Sequence, residues 1–387
     1  MALTTQMTRL ALEHLKPSAM INVTNLGRRM LQEMFAKQSS KELNFAQDNA
    51  PNGFRLWRKE LILGSIAVFI FVFSFSIGRY PVSPDQLIAI LAAKVFPIAH
   101  IWPATMDVVI YNVRLPRILA AMLVGAALAT SGAAYQGIFK NPLVSPDILG
   151  ASAGAGFGAA LGIYFSLNVY LIQLTSFAFG LLAVLLTYFI SQKVHHDPTL
   201  ILILTGVLIG TLFSSATSLI KFVADPYDKL PAITFWLMGS LAAIAPKDVA
   251  TSIIPILLGG IPLYVLRWRL NVLSLGEEEA MALGLETGKL RLIVILASTL
   301  MTAAAVSISG LIGWVGLVIP HLARMIVGPN YKVLLPTSML IGSTYLLLVD
   351  DIARSVASVE IPLGILTSLI GAPFFFYLLV SGRKSWQ

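Results

Sequence analysis

The residues most capable of chemistry are charged side chains that lie beside long apolar runs. Arg114 and Arg117 precede one run, and Arg354 follows another together with Asp350 and Asp351. Asp350 and Arg354 are four residues apart, a spacing at which opposite charges pair on a helix. Arginines at such a boundary also lay their stems along apolar surface and keep the charge in water. The chemistry expected here is ion pairing, not bond making.

The sequence lacks the arrangements that catalysis or metal binding requires. It has no cysteine and no HExxH motif, and we find no Ser-His-Asp set. Residues 284–290 resemble a phosphate-binding loop, but the loop is one residue short and Leu290 replaces the Mg²⁺-binding Ser or Thr. We therefore expect no catalytic residue, no metal site and no cofactor in this chain. If ATP drives the process, a separate subunit must bind ATP and Mg²⁺.

A column of glycines predicts close helix packing. Gly150, Gly154, Gly158 and Gly162 are spaced by four and lie along one ridge of a helix. Missing side chains let a neighbouring backbone approach, which favours helix association in lipid. A nucleotide-binding loop would need a preceding strand, and the context here is apolar helix.

Residues 267–291 form the longest polar stretch among the apolar runs. The pattern predicts two short amphipathic helices around Gly284, with carboxylates from Glu277 onward at the start of the first. Composition alone leaves two interpretations open: a solvated loop, or a docking surface for a cytoplasmic partner.

The composition identifies the elements that must carry these residues as membrane helices. The chain has 387 residues, of which 57% are hydrophobic and only 12% charged. Soluble proteins carry about 25% charged residues, and they cannot hide so much apolar surface. The net charge of +8 is distributed between the apolar runs, which argues against a nucleic-acid partner and for membrane topology.

About ten segments are apolar and long enough to approach a span of roughly 20 residues. They are 61–77, 118–139, 148–165, 170–191, 200–222, 249–266, 290–309, 311–325, 333–352 and 363–380. The eighth is short and contains Pro320, so we expect a broken helix. Residues 233–241 are too few to span and predict a re-entrant or surface helix. The predicted fold is all-α, with a ten-helix domain at 59–387 after a polar, cytoplasmic extension at 1–58.

The distribution of Lys and Arg modestly favours cytoplasmic termini. Two short similarities suggest two inverted five-helix repeats: 129–132 resembles 307–310, and 149–152 resembles 341–343. The spans hold almost no deep Asp, Glu or Lys, although ion-coupled carriers usually place such groups at mid-membrane. This absence argues against a secondary transporter.

Four stretches of the sequence resemble the FecCD permease family, the membrane subunits of importers for iron-siderophores, haem and vitamin B12. They are RLPRILAAMLVGAALATSGAAYQG at 114–137, NPLVSPDILGASAG at 141–154, GLIGWVGLVIPHLAR at 310–324 and IPLGILTSLIGAPFFFYLL at 361–379. The resemblance covers about 61–384.

The resemblance implies ten helices, a dimer of permease subunits (here two identical copies), two cytoplasmic ATPase subunits and a periplasmic or lipid-anchored binding protein, all at the bacterial inner membrane. It also implies that Arg114, Arg117 and Arg354 dock the binding protein and that the fifth span lines the path. The implied ATPase-coupling residues are Glu277, Glu278, Ala280, Met281, Leu283 and Gly284.

The resemblance leaves the cargo open. Iron-siderophore is the first expectation, and haem, cobalamin and molybdate or tungstate remain alternatives. An ATP-independent transporter or a membrane scaffold without transport would be functions of another class. The first would not need the turn at 280–284, and the second would tolerate polar substitutions along the fifth span.

Overall fold

The computed structural model describes residues 53–78, 80, 82–94, 96, 102–194 and 198–381. By its internal contacts the chain divides into two units, Met1–Arg58 and Lys59–Gln387. Nearly all of the predicted polar extension, 1–52, lies outside the described residues. Of the first unit, the structure describes only 53–58, which form the start of the first helix.

In the described part of the chain, all regular secondary structure is helical. Its helices are α1 (Gly53–Ser74), α2 (Pro84–Ala92), α3 (Ala104–Val108), α4 (Leu115–Ile138), α5 (Ala151–Tyr164), α6 (Val169–Ser191), α7 (Pro198–Val223), α8 (Lys229–Leu237), α9 (Pro246–Leu275), α10 (Glu277–Ala282), α11 (Thr287–Ser309), α12 (Val315–Val327), α13 (Tyr331–Ser355) and α14 (Leu363–Ser381). A π-helical turn, Val109–Arg114, joins α3 to α4, and a 3₁₀ turn, Pro146–Leu149, precedes α5.

Each of the ten predicted spans coincides with one helix, and the all-α membrane fold is confirmed. Among the described residues, six helical segments are long and apolar enough to cross a membrane, and two more apolar helices are shorter. The segment ending in α4 and helix α11 are mostly buried inside the bundle, whereas α6, α7 and α9 are mostly exposed. The core therefore forms around α4 and α11, and the exposed helices present apolar side chains to lipid or to another subunit.

Glycines set the closest helix contacts in the core. A side chain at Gly125 of α4 would overlap the backbone of Gly342 on α13, and one at Gly132 would overlap Gly316 on α12. In lipid no hydrophobic effect drives helices together, so backbone approach and van der Waals contact must hold the bundle. These paired glycines explain why α4 can lie at its centre.

The third helix of each predicted five-helix half is short. Helix α5 has 14 residues and α12 has 13, and irregular backbone precedes both. The start of α12 meets the 3₁₀ turn before α5, since a side chain at Gly316 would strike the ring of Pro146. Irregular backbone at membrane depth is tolerated where protein surrounds it, which matches the prediction of a broken eighth span.

The polar stretch 267–291 differs from its prediction of two short helices. Helix α9 continues to Leu275, only α10 forms a separate short helix, and the chain after Gly284 enters α11 at Thr287. Gly284 has φ +79°, a left-handed conformation that suits glycine and reverses the chain. The predicted surface helix at 233–241 begins earlier, as α8, and its Ile233 is fully buried. Helices α2 and α3 were not predicted.

Candidate functional site

Arg117 is the centre of a charged cluster at one end of the bundle, called here the arginine end. Its Nε lies 3.0 and 2.9 Å from the two carboxylate oxygens of Asp350, and its Nη2 donates to Asp350 Oδ1 at 2.9 Å. The outer nitrogens Nη1 and Nη2 also donate to Glu360 Oε1 and Oε2, each at 2.9 Å. One planar guanidinium thus satisfies two carboxylates through forked, charge-assisted bonds.

Two more arginines complete the cluster. Arg354 donates to Asp351 and, at 2.9 Å, to the carbonyl of Ser74, while the hydroxyl of Ser74 donates to Asp351. Arg114 donates to the carbonyls of Phe75 and Tyr80. The cluster ties the end of α1 to the start of α4, the end of α13 and the loop that leads to α14. The cluster contains three guanidiniums and three carboxylates, so its formal charges balance, although Arg114 donates to carbonyls.

All three predicted docking arginines are buried: Arg114 is 4%, Arg117 7% and Arg354 5% exposed. The sequence placed them at a water-facing edge, free to snorkel or to meet a partner. In this conformation each of the three guanidiniums instead donates to groups of the same chain. Direct docking through them stays a prediction, and it requires the internal bonds to open.

Sequence reasoning found the Asp350–Arg354 spacing but missed the main partner. Arg354 Nε is 3.8 Å from Asp350, whereas Arg117, 233 residues away in sequence, holds Asp350 directly. It also missed Ser74 and Glu360, which no helical spacing connects to the arginines. The available signal was that the adjacent carboxylates Asp350 and Asp351 lie at the same predicted bundle end as Arg114 and Arg117.

The glycine column faces two neighbours. Side chains at Gly154 and Gly158 would overlap the carbonyls of Phe179 and Thr175 on α6, and one at Gly162 would come within 3.0 Å of Thr175 Oγ1. Gly150 has φ +86° and faces α7 instead. The column therefore lets α5 approach α6 closely along its length.

The segment around α10 lies at the opposite end, called here the loop end. Ala280 is fully buried, and Glu277 pairs with Arg291 at the start of α11. Met281 is 55% and Leu283 65% exposed, while Glu278 and Gly284 are also exposed. A short helix anchored by one ion pair therefore presents two large apolar side chains outward.

A groove of about 430 Å³ runs between the start of α5 and one face of α7. Small and hydroxyl-bearing residues form most of its wall. They are Gly150, Ala153, Gly206, Gly210, Thr211, Ser214, Ser215 and Ser218, and Asp147, Ile148 and Val207 complete the wall. The other face of α7 exposes larger apolar side chains such as Leu208 and Leu212. Within the described residues, no three His, Asp or Glu side chains cluster as metal ligands.

An all-helical bundle with six helical segments of membrane-spanning length and composition among the described residues defines a multi-pass membrane protein. Residues 66–381 match the FecCD transport family. The chain belongs to the FecCD transport family, and it is the membrane-spanning permease subunit of an ATP-binding-cassette importer.

Named relatives support the same class. The chain is 47% identical over 319 residues to the molybdate import system permease protein MolB of Haemophilus influenzae, covering 82% of this chain and 94% of MolB. It is 41% identical over 281 residues to the probable iron chelatin transport system permease protein of Helicobacter pylori strain 26695. This match covers 72% of this chain and 85% of that relative.

A solved structure resembles the whole bundle. It is described as an inward-facing conformation of a metal-chelate type ABC transporter. Its TM-score to this chain is 0.75 at 45% identity, covering 83% of this chain and 98% of that one.

Proposed function

We propose that this permease imports an oxyanion of the molybdate type. The observation that carries the proposal is the 47% identity to a molybdate permease across 94% of that relative's length. The sequence alone made iron-siderophore the first expectation. An iron chelate remains the second candidate, because the Helicobacter relative is 41% identical.

The groove along α7 suits a small hydrophilic cargo. The hydroxyls of Ser214 and Ser215 offer exchangeable hydrogen bonds along the path, and the wall brings no fixed positive charge. The hydroxyls of Thr211 and Ser218 donate to carbonyls of their own helix. An anion is therefore not trapped, and the Asp147 carboxylate in the wall opposes lodging through like charge. A large flat macrocycle such as haem would find few apolar side chains on this wall.

The proposed assembly holds two copies of this chain, two ATPase subunits that bind ATP and Mg²⁺, and a binding protein that delivers the cargo. Both termini and the loop end lie in the cytoplasm, and the arginine end faces outward across the bacterial inner membrane. The excess of Lys and Arg near the predicted cytoplasmic ends supports this orientation.

Coupling to the ATPase is assigned to α10 and the turn after it. Met281 and Leu283 are exposed large apolar residues on an otherwise polar loop, and such exposed residues mark contact sites. The ion pair of Glu277 with Arg291 ties α10 to α11, so a push on α10 reaches the central helix of the bundle. ATP binding thereby switches access through the helices around the groove.

The arginine end is the proposed landing site of the binding protein. Glu360 is the most accessible acidic group of the cluster. Its side chain is 28% exposed, whereas the side chain of its partner Arg117 is only 8% exposed. A partner carboxylate that replaces Glu360 at Arg117 would open the cluster on docking. Docking of the binding protein and opening of the arginine cluster would then occur in one step.

The test is uptake into proteoliposomes that hold the permease with its ATPase. Molybdate, ferric siderophore, haem and cobalamin are each offered with the matching binding protein, with ATP or with a non-hydrolysable analogue inside. We expect ATP-dependent accumulation of labelled molybdate. ATP-dependent uptake of the siderophore alone would replace the oxyanion proposal with the second candidate.

Two results would overturn the assembly itself. Uptake that persists without the ATPase would make the chain an ATP-independent transporter. Uptake that is unaffected by Arg117→Glu in a protein that still folds would remove the arginine end from docking.

A further inference from the structure

A second cavity lies between α6 and α9, away from the α7 groove, and α11 forms its floor. This α6–α9 groove has a volume of about 570 Å³. Its wall includes Leu174 and Phe177 of α6, Ile254 and Leu258 of α9, and Leu300 of α11. Since α6 and α9 are mostly exposed helices of a membrane bundle, the groove opens on the apolar face of the protein.

The hydroxyls in the wall of the α6–α9 groove are satisfied within their own helices. Thr251 donates to the carbonyl of Asp248 at 3.1 Å, Ser252 to that of Val249 at 3.1 Å, and Ser307 to that of Ala304 at 2.9 Å. Their donors are therefore not directed at an occupant. The wall is chemically apolar, and it suits a hydrocarbon chain.

A smaller pocket of about 330 Å³ adjoins the groove at the arginine end. Both cavities are lined by Gln173, Ser307 and Ile308, so they adjoin across a shared wall. Asp248, in the first turn of α9, lies in the wall of the smaller pocket. Leu258 lies ten residues further along α9, which is about 15 Å deeper at 1.5 Å per residue.

Asp248 is buried, at 3% exposure, and its carboxylate has only neutral donors. Gln173 Nε2 donates to Oδ1 at 3.0 Å, and the backbone N–H of Ala245 donates to Oδ2 at 2.7 Å. Within the described residues, no Lys, Arg or His forms an ion pair with it. The start of α9 favours this carboxylate only through partial charges on its N–H groups. A cation that reaches the buried carboxylate would supply the missing counter-charge.

Lys247 precedes Asp248 in sequence and is exposed at the start of α9, outside the wall of the pocket. A positive charge at this end of α9 and a negative charge inside the pocket complement a zwitterion with an outer phosphate and an inner ammonium. The apolar groove below complements an acyl chain. Headgroup and chain are thus placed in the order in which a lipid presents them to a membrane protein.

We propose that the α6–α9 groove and the adjoining smaller pocket together bind a phospholipid with a primary ammonium headgroup, of the phosphatidylethanolamine type. The ammonium donates to Asp248 and to the side-chain carbonyl oxygen of Gln173, and one acyl chain fills the α6–α9 groove. A phosphatidylcholine cannot donate hydrogen bonds from its quaternary nitrogen, and phosphatidylglycerol brings no cation. The site lies on the lipid face, apart from the proposed cargo path.

The test is native mass spectrometry of the purified full-length protein released from nanodiscs. The nanodiscs contain equal amounts of phosphatidylethanolamine, phosphatidylcholine and phosphatidylglycerol with distinguishable acyl chains. We expect the wild type to retain phosphatidylethanolamine about tenfold over either other lipid, a ratio that one well-placed charged contact supplies. The readout needs no transport, so it is independent of the proposed cargo.

Three variants divide the site into its parts. Asp248→Asn keeps an oxygen to accept the Ala245 N–H, so the helix start is preserved, and it should lose the headgroup preference while still retaining lipid. Leu258→Trp should block the groove and lose retention. Leu257→Trp is the matched control, because Leu257 is also exposed on α9, at 50% against 61%, but does not line the groove.

The proposal fails if the wild type shows no preference for phosphatidylethanolamine, or if Asp248→Asn keeps that preference. It fails equally if the two tryptophan variants behave alike. A groove that a second copy of the chain covers would also overturn it: a photo-crosslinker at Leu258 would then label protein instead of lipid.

Discussion

Arg117 shows how a single side chain can join distant parts of a membrane protein. Its guanidinium holds Asp350 of α13 and Glu360 of the following loop, although it lies at the start of α4 itself. Burying such a pair gains little net stability, because desolvation offsets the attraction. Removing one partner is costly, since the remaining charges stay buried.

We predict that Arg117→Leu lowers the free energy of unfolding by about 3–5 kcal/mol, because it leaves Asp350 buried without its cation. The double variant Arg117→Leu/Asp350→Leu should recover part of that loss. Denaturant or thermal unfolding in detergent measures both. Arg269→Leu, at an exposed arginine on α9, is the control and should change stability by at most about 0.5 kcal/mol.

The same measurement separates two roles of Arg117. If Arg117→Leu unfolds like the wild type but binds the binding protein weakly, the guanidinium contacts the partner directly. If stability falls and the double variant restores it, the arginine organises the outer end from within.

At the scale of elements, α5 depends on the absence of side chains along one face. Gly158 lies against the carbonyl of Thr175 on α6, and the approach leaves no room for a methyl group. By contrast, a methyl group at Gly288, in the first turn of α11, would have no neighbouring atom within 4 Å. Close helix packing therefore requires glycine at position 158 but not at position 288.

We predict opposite effects of alanine at these two positions. Gly158→Ala should destabilise the protein by about 1–3 kcal/mol, the usual range for overpacking. Gly288→Ala should leave stability unchanged or raise it by up to about 1 kcal/mol, because alanine favours helix. Melting temperatures in detergent compare the two, and equal shifts would refute the packing role of the column.

At the scale of the whole molecule, α7 has two faces with different surroundings. Thr211 lies in the wall of the α7 groove, whereas its neighbour Leu212 is outside that wall and 59% exposed. The proposed cargo path would therefore follow one face of α7 only.

We predict that Thr211→Trp reduces cargo uptake at least about tenfold, because an indole fills a groove that a small hydrophilic cargo must pass. Leu212→Trp, the matched control, should transport close to the wild-type rate. ATP-dependent uptake in proteoliposomes measures both at equal protein levels. Equal loss in the two variants would place the path elsewhere.

Much of the architecture could be predicted from the chain alone. Ten apolar segments became ten helices, since a segment of that length and composition has no other stable state in lipid. The family motif in 114–137 lies in α4, and the motif in 310–324 lies in α12 and the segment before it. These motifs identified the class of the protein correctly. The short α12 also followed from local sequence, through Pro320 and the few residues available.

The partners of the charged residues were a matter of tertiary structure only. Spacing in sequence pairs Asp350 with Arg354, but the fold brings Arg117 from 233 positions away and closes the stronger contact. Likewise Asp248 and Gln173, 75 positions apart, meet only because α6 and α9 both pack against α11. Local sequence determines which segments enter the bilayer, because that depends on summed hydropathy. Which polar groups face each other depends on helix packing, and no local pattern encodes it.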